Sequence, residues 1–224
     1  LRGRSSSGWP EEAVVAGGAT QGRFPQSGDE ELWGDDPFDA ASVFGRRAPL
    51  EVELGSGKAR FLIEAARRAP AHDFLGLELS LAYYRMARER IARAGAGNLR
   101  ILRADARRFV ERALSAASVR AFHVYFPDPW PKRRQRKRRM LDGLGLEWLA
   151  SRLEPGGTLR IATDHRDYAA SIEPLLETVP GLERLPWSAL PEPPETHYEL
   201  KYRAEGRSIS RFLLRRVSRA PARS

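Results

Sequence analysis

Five acidic residues of this chain stand at or just after the ends of short β-type runs. They are Glu53 in P-L-E-V-E-L, Glu78 in H-D-F-L-G-L-E, Asp105 in L-R-I-L-R-A-D, Asp128 after A-F-H-V-Y-F and Asp164 in T-L-R-I-A-T-D. A carboxylate can accept from sugar hydroxyls and amines, and it favours a cation beside it. In an open parallel sheet ligands bind beyond the carboxyl ends of the strands, so these five would share one edge. Singly, each reads as a helix cap or a turn residue; together they select a site.

The segment E-L-G-S-G at 53–57 follows one such run and opens a helical one. Gly55 and Gly57 would let the backbone approach a ligand closely. Glu78, 21 positions after Gly57, falls where an acid takes ribose hydroxyls in dinucleotide folds. A dinucleotide site would show G-x-G-x-x-G and a pyrophosphate on the helix N-terminus. Here the glycines stop at Gly57 and Glu53 stands just before them, which would repel an anion. A ligand with a sulfonium and an amino group suits the arrangement better, so S-adenosylmethionine is favoured over NAD. Asp105 would accept from the adenine amine. Gly57-Lys58 is followed by Ala59 and has no upstream glycine in register, so no G-x-x-x-x-G-K-[ST] loop exists; nor does a G-x-S-x-G elbow. ATPase and serine-hydrolase readings fall away.

On the acceptor side, F-P-D-P-W-P sets Asp128 between Pro127 and Pro129, which restrict φ and stiffen the loop. Directly after it, seven of the eight residues from Lys132 to Arg139 are Lys or Arg, and without them the formal net charge of +9 falls to +2. A charge run is usually a solvated face or a localisation tract. Its place beside the site loop points instead to a grip on phosphates, with Arg133, Arg134, Arg136, Lys137, Arg138 and Arg139 as RNA contacts. Arg207, Arg211, Arg215, Arg216 and Arg219 extend this surface wherever strand alternation turns them the same way.

The elements that must position these groups follow from hydrophobic spacing. From Pro49 onward, β-type runs alternate with helical ones, the βαβ rhythm of a parallel sheet. Helices are expected around Phe61–Ala66, from Ser80 as N-cap, over 106–114, through Leu144, Leu149 and Leu153 to the stop E-P-G-G, and over 166–178. R-S-I-S-R-F-L-L-R-R-V closes the domain as an antiparallel strand. Residues 1–36, rich in Gly, Ser, Pro and acid, are expected to be disordered with ordering near Trp33. A domain over 37–218 and a tail over 219–224 complete the division. The 224 residues, 42% hydrophobic and 30% charged, suit one main soluble domain. Zero cysteines exclude disulfides and thiolate metal sites. His72, His123, His165 and His197 show no metal-ligand spacing, so no metal is expected. With no apolar run of membrane-spanning length and no signal-type start, the expected location is cytoplasmic.

These segments together resemble the tRNA (guanine-N7)-methyltransferase family over roughly residues 36–217. The matching pieces are F-D-A-A-S-V-F-G-R, V-E-L-G-S-G, F-L-G-L-E, the Asp of R-A-D-A, F-P-D-P-W-P-K-R-R-Q-R-K-R-R, L-E-P-G-G-T-L-R-I-A-T-D-H-R-D-Y, and T-H-Y-E-L-K followed by G-R-S-I. The resemblance implies a Rossmann-like class I methyltransferase fold, α/β, with a mostly parallel seven-stranded sheet and an antiparallel C-terminal strand. It implies S-adenosylmethionine held by Glu53, Gly55, Gly57, Glu78, Asp105 and Asp128. The target nucleotide would meet Lys132, Asp164, Thr196, His197, Tyr198 and Glu199, and the basic block would meet tRNA. The chain departs from the family pattern at Ala59, where a third glycine is usual, and at Gln135, where a histidine is.

Guanine N7 carries a lone pair and no proton, so transfer to it needs no general base and the task is alignment. Asp128 is the candidate catalytic residue, accepting from guanine and, with Asp164 or Glu199, favouring the positive charge that develops on the ring. Two other readings stay open on sequence: methylation of an exocyclic amine of another RNA base, and a non-catalytic RNA-binding module on the same fold. Monomer and homodimer are equally compatible.

Overall fold

A computed structural model gives the architecture; the residues described are 30–130, 134, 135 and 139–217. The elements run α1 (Ala40–Phe44), β1 (Leu50–Leu54), α2 (Arg60–Arg68), β2 (Asp73–Glu78), α3 (Leu81–Ala94), β3 (Leu99–Arg103), α4 (Ala106–Arg112), β4 (Val119–Tyr125), α5 (Gly143–Arg152), β5 (Leu153–Thr163), α6 (Arg166–Leu176), β6 (Leu182–Leu185), a 3-10 turn (Trp187–Ala189), α7 (His197–Ala204) and β7 (Ser210–Arg216). The strands form one sheet in the order β3-β2-β1-β4-β5-β7-β6. Pairings from β3 through β5 are parallel, whereas β7 runs antiparallel to both β5 and β6. Strand order reverses between β1 and β4, which puts the ligand edge at the carboxyl ends of those two strands.

Both sheet faces are covered, as a parallel sheet requires. On one face α2 and α3 bury Phe61, Leu62, Tyr84 and Ile91 against Phe74, Leu99 and Ile101. On the other, α4, α5 and α6 bury Phe109, Leu146, Leu149, Tyr168 and Ile172 against Val52, Leu75, Phe122 and Leu159. Side-chain caps start the helices locally: Asp105 accepts from the Arg107 and Arg108 amides, Asp142 from that of Gly145 and Thr196 from that of Glu199, each satisfying orphan donors of a first turn.

Trp33 and Phe38 pack edge-on against each other and against Phe109, and Arg108 Nε and Nη2 clamp both Asp35 oxygens. Residues 30–36 therefore join the domain ahead of the expected start at 37; residues 1–29 and 218–224 lie outside the described residues. The walk along the sequence leaves α1, α7 and β6 unassigned. It also runs the helix ahead of E-P-G-G one residue too far, since Leu153 already begins β5. L-E-R-L of β6 has only four residues of alternation, and α7 buries only Glu199, so neither carries a periodic apolar signal.

Candidate active site

β1 delivers Glu53 into the interior at its carboxyl end, where the side chain is 3% exposed. The turn that follows needs Gly55 at φ +82° and Gly57 at φ +53°, a region costly for side-chain-bearing residues. Ala59 occupies the same region at φ +55° as the N-cap of α2, so the position where the family places a glycine has glycine-like geometry. The turn, the start of α2 and the start of α7 enclose a cavity of about 220 Å³ lined by Glu53, Gly55, Ser56, Gly57, Lys58, Arg60, Phe61, Tyr83, Tyr125, Thr196, His197, Tyr198 and Lys201. Glu53 Oε2 is buried there with no hydrogen-bond partner. Burial, reinforced by the neighbouring Glu78 charge and only partly offset by Ser56, pushes the Glu53 carboxyl well above the usual carboxylate range.

Glu78 is held differently. Its Oε2 accepts from the Gly57 amide and its Oε1 from the Ser80 amide, each at 2.8 Å. Burial raises its pKa, and these two amides work against that rise. The sequence link between the glycine turn and the second acid is thus a physical contact. Asp105 is exposed and caps α4 through Oδ1. Glu78, Asp105 and Asp128 stand along the strand-end edge outside the cavity lining.

The Asp128 loop leaves β4 under backbone strain at both ends. Phe126 has φ +52° and Trp130 φ +41°, values that cost bulky residues roughly 1–3 kcal/mol each. The Phe126 amide donates to Ala162 O at 2.7 Å, tying the loop entrance to β5. Arg139 ties its exit, donating from Nε to Pro129 O at 2.8 Å. Asp128 is exposed and, among the described residues, has no hydrogen-bond or ion-pair partner; its charge acts on Glu78 and Tyr198.

α7 forms the opposite wall and brings the T-H-Y-E segment to the glycine turn. Thr196 and Glu199 are buried, His197 is exposed and Tyr198 half-buried. The Tyr198 ring lies 6.3 Å from Phe126 and 5.8 Å from Tyr202. A hydrogen bond with Tyr83, together with burial, pushes its phenol up to about 12. Asp164 at the end of β5 pairs with Arg207 at 2.8 Å, and Glu199 pairs with Arg211.

Those two arginines belong to the set expected to extend the basic surface, and the structure uses that set otherwise. Arg215 pairs with Glu183, and Arg216 donates to the Leu153 and Ser151 carbonyls. Arg219 lies outside the described residues. So do Lys132, Arg133, Arg136, Lys137 and Arg138; of the block, Arg134 is exposed and Arg139 half-buried.

Sequence reasoning missed three cavity-lining cations, Lys58, Arg60 and Lys201, of which Lys58 at least could have been flagged by its place directly after Gly57. It also missed a polar cluster on the same sheet face. Glu51 accepts from His72 Nδ1 at 2.6 Å and His123 Nε2 at 2.7 Å, and His123 Nδ1 lies 3.1 Å from the Tyr125 hydroxyl. Among the described residues, no group of three or more His, Cys, Asp or Glu is placed to hold a metal ion.

A doubly covered sheet with one antiparallel strand, a glycine turn after its first strand and acids along the strand ends define a class I methyltransferase fold. Solved structures share it: the 16S rRNA methyltransferase KamB at TM-score 0.56 and 15% identity, over 82% of this chain and 96% of that one, and the aminoglycoside resistance methyltransferase NpmB1 at TM-score 0.54 and 18% identity, over 79% and 91%. Within that class, residues 47–212 match the family model described as "Putative methyltransferase". The tRNA (guanine-N(7)-)-methyltransferase of Nocardia farcinica is 37% identical over 209 residues, 88% of this chain and 77% of that one. That of Bordetella pertussis is 37% identical over 184 residues, 81% and 72%. The chain belongs to the tRNA (guanine-N7)-methyltransferase family.

Proposed function

We propose that this enzyme methylates N7 of the guanosine at position 46, in the variable loop of tRNA, forming 7-methylguanosine with S-adenosylmethionine as donor. Besides family membership, one observation carries the donor assignment: a buried carboxyl, Glu53, one oxygen of which has no partner, lining a cavity that the glycine turn and α7 share. A buried acid of that kind gains most from a cationic ligand. S-adenosylmethionine supplies, when bound, an electrophilic methyl on a sulfonium and a cationic amino group. Glu53 offers that charge its counterion, and Lys58, Arg60 and Lys201 in the same lining suit the donor's carboxylate. Glu78, pre-set by two backbone amides, takes the ribose hydroxyls, Asp105 the adenine amine.

Guanine N7 has no proton to lose, so the residues on the acceptor side orient and compensate charge rather than abstract a proton. Asp164 and Glu199 each already face an arginine. Asp128 does not, among the described residues, and it stands on a loop tied at both ends, to β5 and to Arg139. It therefore accepts from the guanine Watson–Crick donors and favours the cationic product ring. Thr196, His197 and Tyr198 close over the base with Asp164, Glu199 and Lys132, and the basic block grips phosphates. The place of action is the cytoplasm; no described helix is long and apolar enough to cross a membrane.

Unmodified tRNA incubated with labelled donor and cleaved chemically at 7-methylguanosine tests the proposal. Cleavage at position 46 is expected, and its absence from the variable loop forces a different acceptor. Asp128→Ala is expected to lower the transfer rate about a hundredfold at normal tRNA affinity; near-normal transfer removes Asp128 from its role.

A further inference from the structure

Arg139 ends the run of positive charge, yet its side chain is turned into the protein. Its Nε donates to Pro129 O at 2.8 Å, Nη2 reaches Trp130 O at 3.5 Å and Nη1 donates to Ser171 Oγ on α6 at 3.2 Å. The face of the guanidinium lies 4.5 Å over the buried Tyr168 ring. All three nitrogens and one face of the half-buried group are thus engaged by the protein itself. Its own carbonyl accepts from Arg107 Nη1 at 2.6 Å, and Arg107 pairs with Asp142, the cap of α5, at 3.0 Å. Arg107 sits two residues after Asp105. One residue therefore links α6, the exit of the Asp128 loop and the helix that Asp105 caps.

We propose that Arg139 is a positioning residue, which fixes the Asp128 loop against α4 and α6, and not a phosphate contact. Two observations converge on this. The loop holds Phe126 and Trp130 at positive φ, a conformation that persists only where its surroundings over-determine it, and Arg139 binds the carbonyls of Pro129 and Trp130 at the strained exit. Gripping a phosphate would require the guanidinium to surrender those bonds and its stack on Tyr168. Lysine cannot substitute, because a single ammonium has neither the planar face nor the fork that reaches three acceptors. Arg134, exposed and with no partner among the described residues, has the opposite surroundings and serves as the comparison. The proposal rests on the functional reading above for what Asp128 does once it is positioned.

The test is to measure tRNA affinity against salt and kcat at saturating tRNA and donor for the full chain and for Arg139→Ala, Arg139→Lys, Ser171→Ala and Arg134→Ala. Each phosphate contact adds about 0.7 to 0.9 to the slope of log K against log salt. The expected result is a parental slope for all but Arg134→Ala, which loses about one contact. Arg139→Ala and Arg139→Lys should each lower kcat at least tenfold, and Ser171→Ala a few-fold. A slope reduced by one contact in Arg139→Ala, or full kcat in Arg139→Lys, overturns the proposal. If the Arg139 variants do not fold, Ser171→Ala, which removes one partner of Arg139 and no charge, still decides: a kcat lowered a few-fold supports the proposal and a parental kcat overturns it. Loss of N7 methylation by the parent protein would sink the functional reading alone, since the binding slope is read without transfer.

Discussion

Glu51 and Glu53 sit two residues apart on β1, on the same face of the sheet, and their surroundings drive them in opposite directions. Glu51 is clasped by His72 and His123, and despite burial these partners hold its carboxyl down to about 2. Glu53 has a buried oxygen with no partner, and burial raises its pKa well above the ordinary range. Identical side chains one pleat apart are thus a finished internal contact and an unfinished one. The difference lies in what neighbouring strands supply: β4 and the residue before β2 bring imidazoles to Glu51, while the glycine turn brings Glu53 only Ser56 and an open cavity. A protein retains an unsatisfied buried carboxyl where something else completes it.

The comparison breaks first on removing the acid character of Glu53. Glu53→Gln should weaken donor binding and lower kcat/KM for the donor on the order of a hundredfold while leaving the thermal midpoint unchanged or higher, as calorimetry and initial rates will show. The same variant tests the pH dependence of donor binding. Because burial raises the folded-state pKa of Glu53, the free protein keeps that proton to higher pH than an ordinary carboxyl would, and a cationic donor binds better to the ionised form. Donor affinity measured by calorimetry should rise with pH through that raised pKa and release a proton, and Glu53→Gln should flatten the profile. Parental affinity that does not change with pH, or an unchanged Kd in the variant, equates the two glutamates.

Glu51→Gln should do the reverse. Removing one partner of a buried pair costs roughly 3–5 kcal/mol, so denaturant unfolding should show a loss of that order while transfer per folded molecule stays near the parental value. The sign of the acid dependence follows from the lowered pKa. The stabilisation by Glu51 is complete above its unfolded value of 4.5 and is lost as pH falls toward about 2. Acid unfolding should therefore be less steep in Glu51→Gln across that window. The smallest effect belongs to Ala59→Gly. Relief of the positive φ and loss of a fully buried methyl nearly cancel, so stability should move by less than about 1 kcal/mol, checked by urea titration. A larger loss would show that the methyl supports the packing of α2.

Much of this was legible in the chain, for identifiable reasons. Apolar runs ending in acids locate β1 to β5 and their carboxyl edge, because strand termini and ligand chemistry both leave local marks. The link from the glycine turn to Glu78 is legible through spacing alone, and it proves to be a hydrogen bond from Gly57. What stayed hidden depends on long-range pairing. His72 and His123 look scattered, yet adjacent strands carry both to Glu51 across 21 and 72 residues. The alternation of L-E-V-E-L does not reveal that Glu51 meets His72 and His123 while Glu53 lines a cavity with Phe61 of α2. Arg207, just before β7, and Arg211 and Arg215 on it look like more basic surface because their partners, Asp164, Glu199 and Glu183, lie 43, 12 and 32 residues away.

That neutralisation of Arg207, Arg211 and Arg215 has a kinetic consequence. With Arg207, Arg211 and Arg215 each facing an acid, the surplus positive charge of the chain is concentrated between Trp130 and Met140 rather than spread in a belt. A polyanion diffusing toward such a molecule experiences a torque as well as a pull, since one stretch of the chain attracts it far more strongly than the rest. Encounters are then pre-oriented before any contact forms, with the nucleic acid arriving beside the strand-end edge. Added salt erodes that guidance along with the attraction, so capture slows through lost orientation as well as lost frequency.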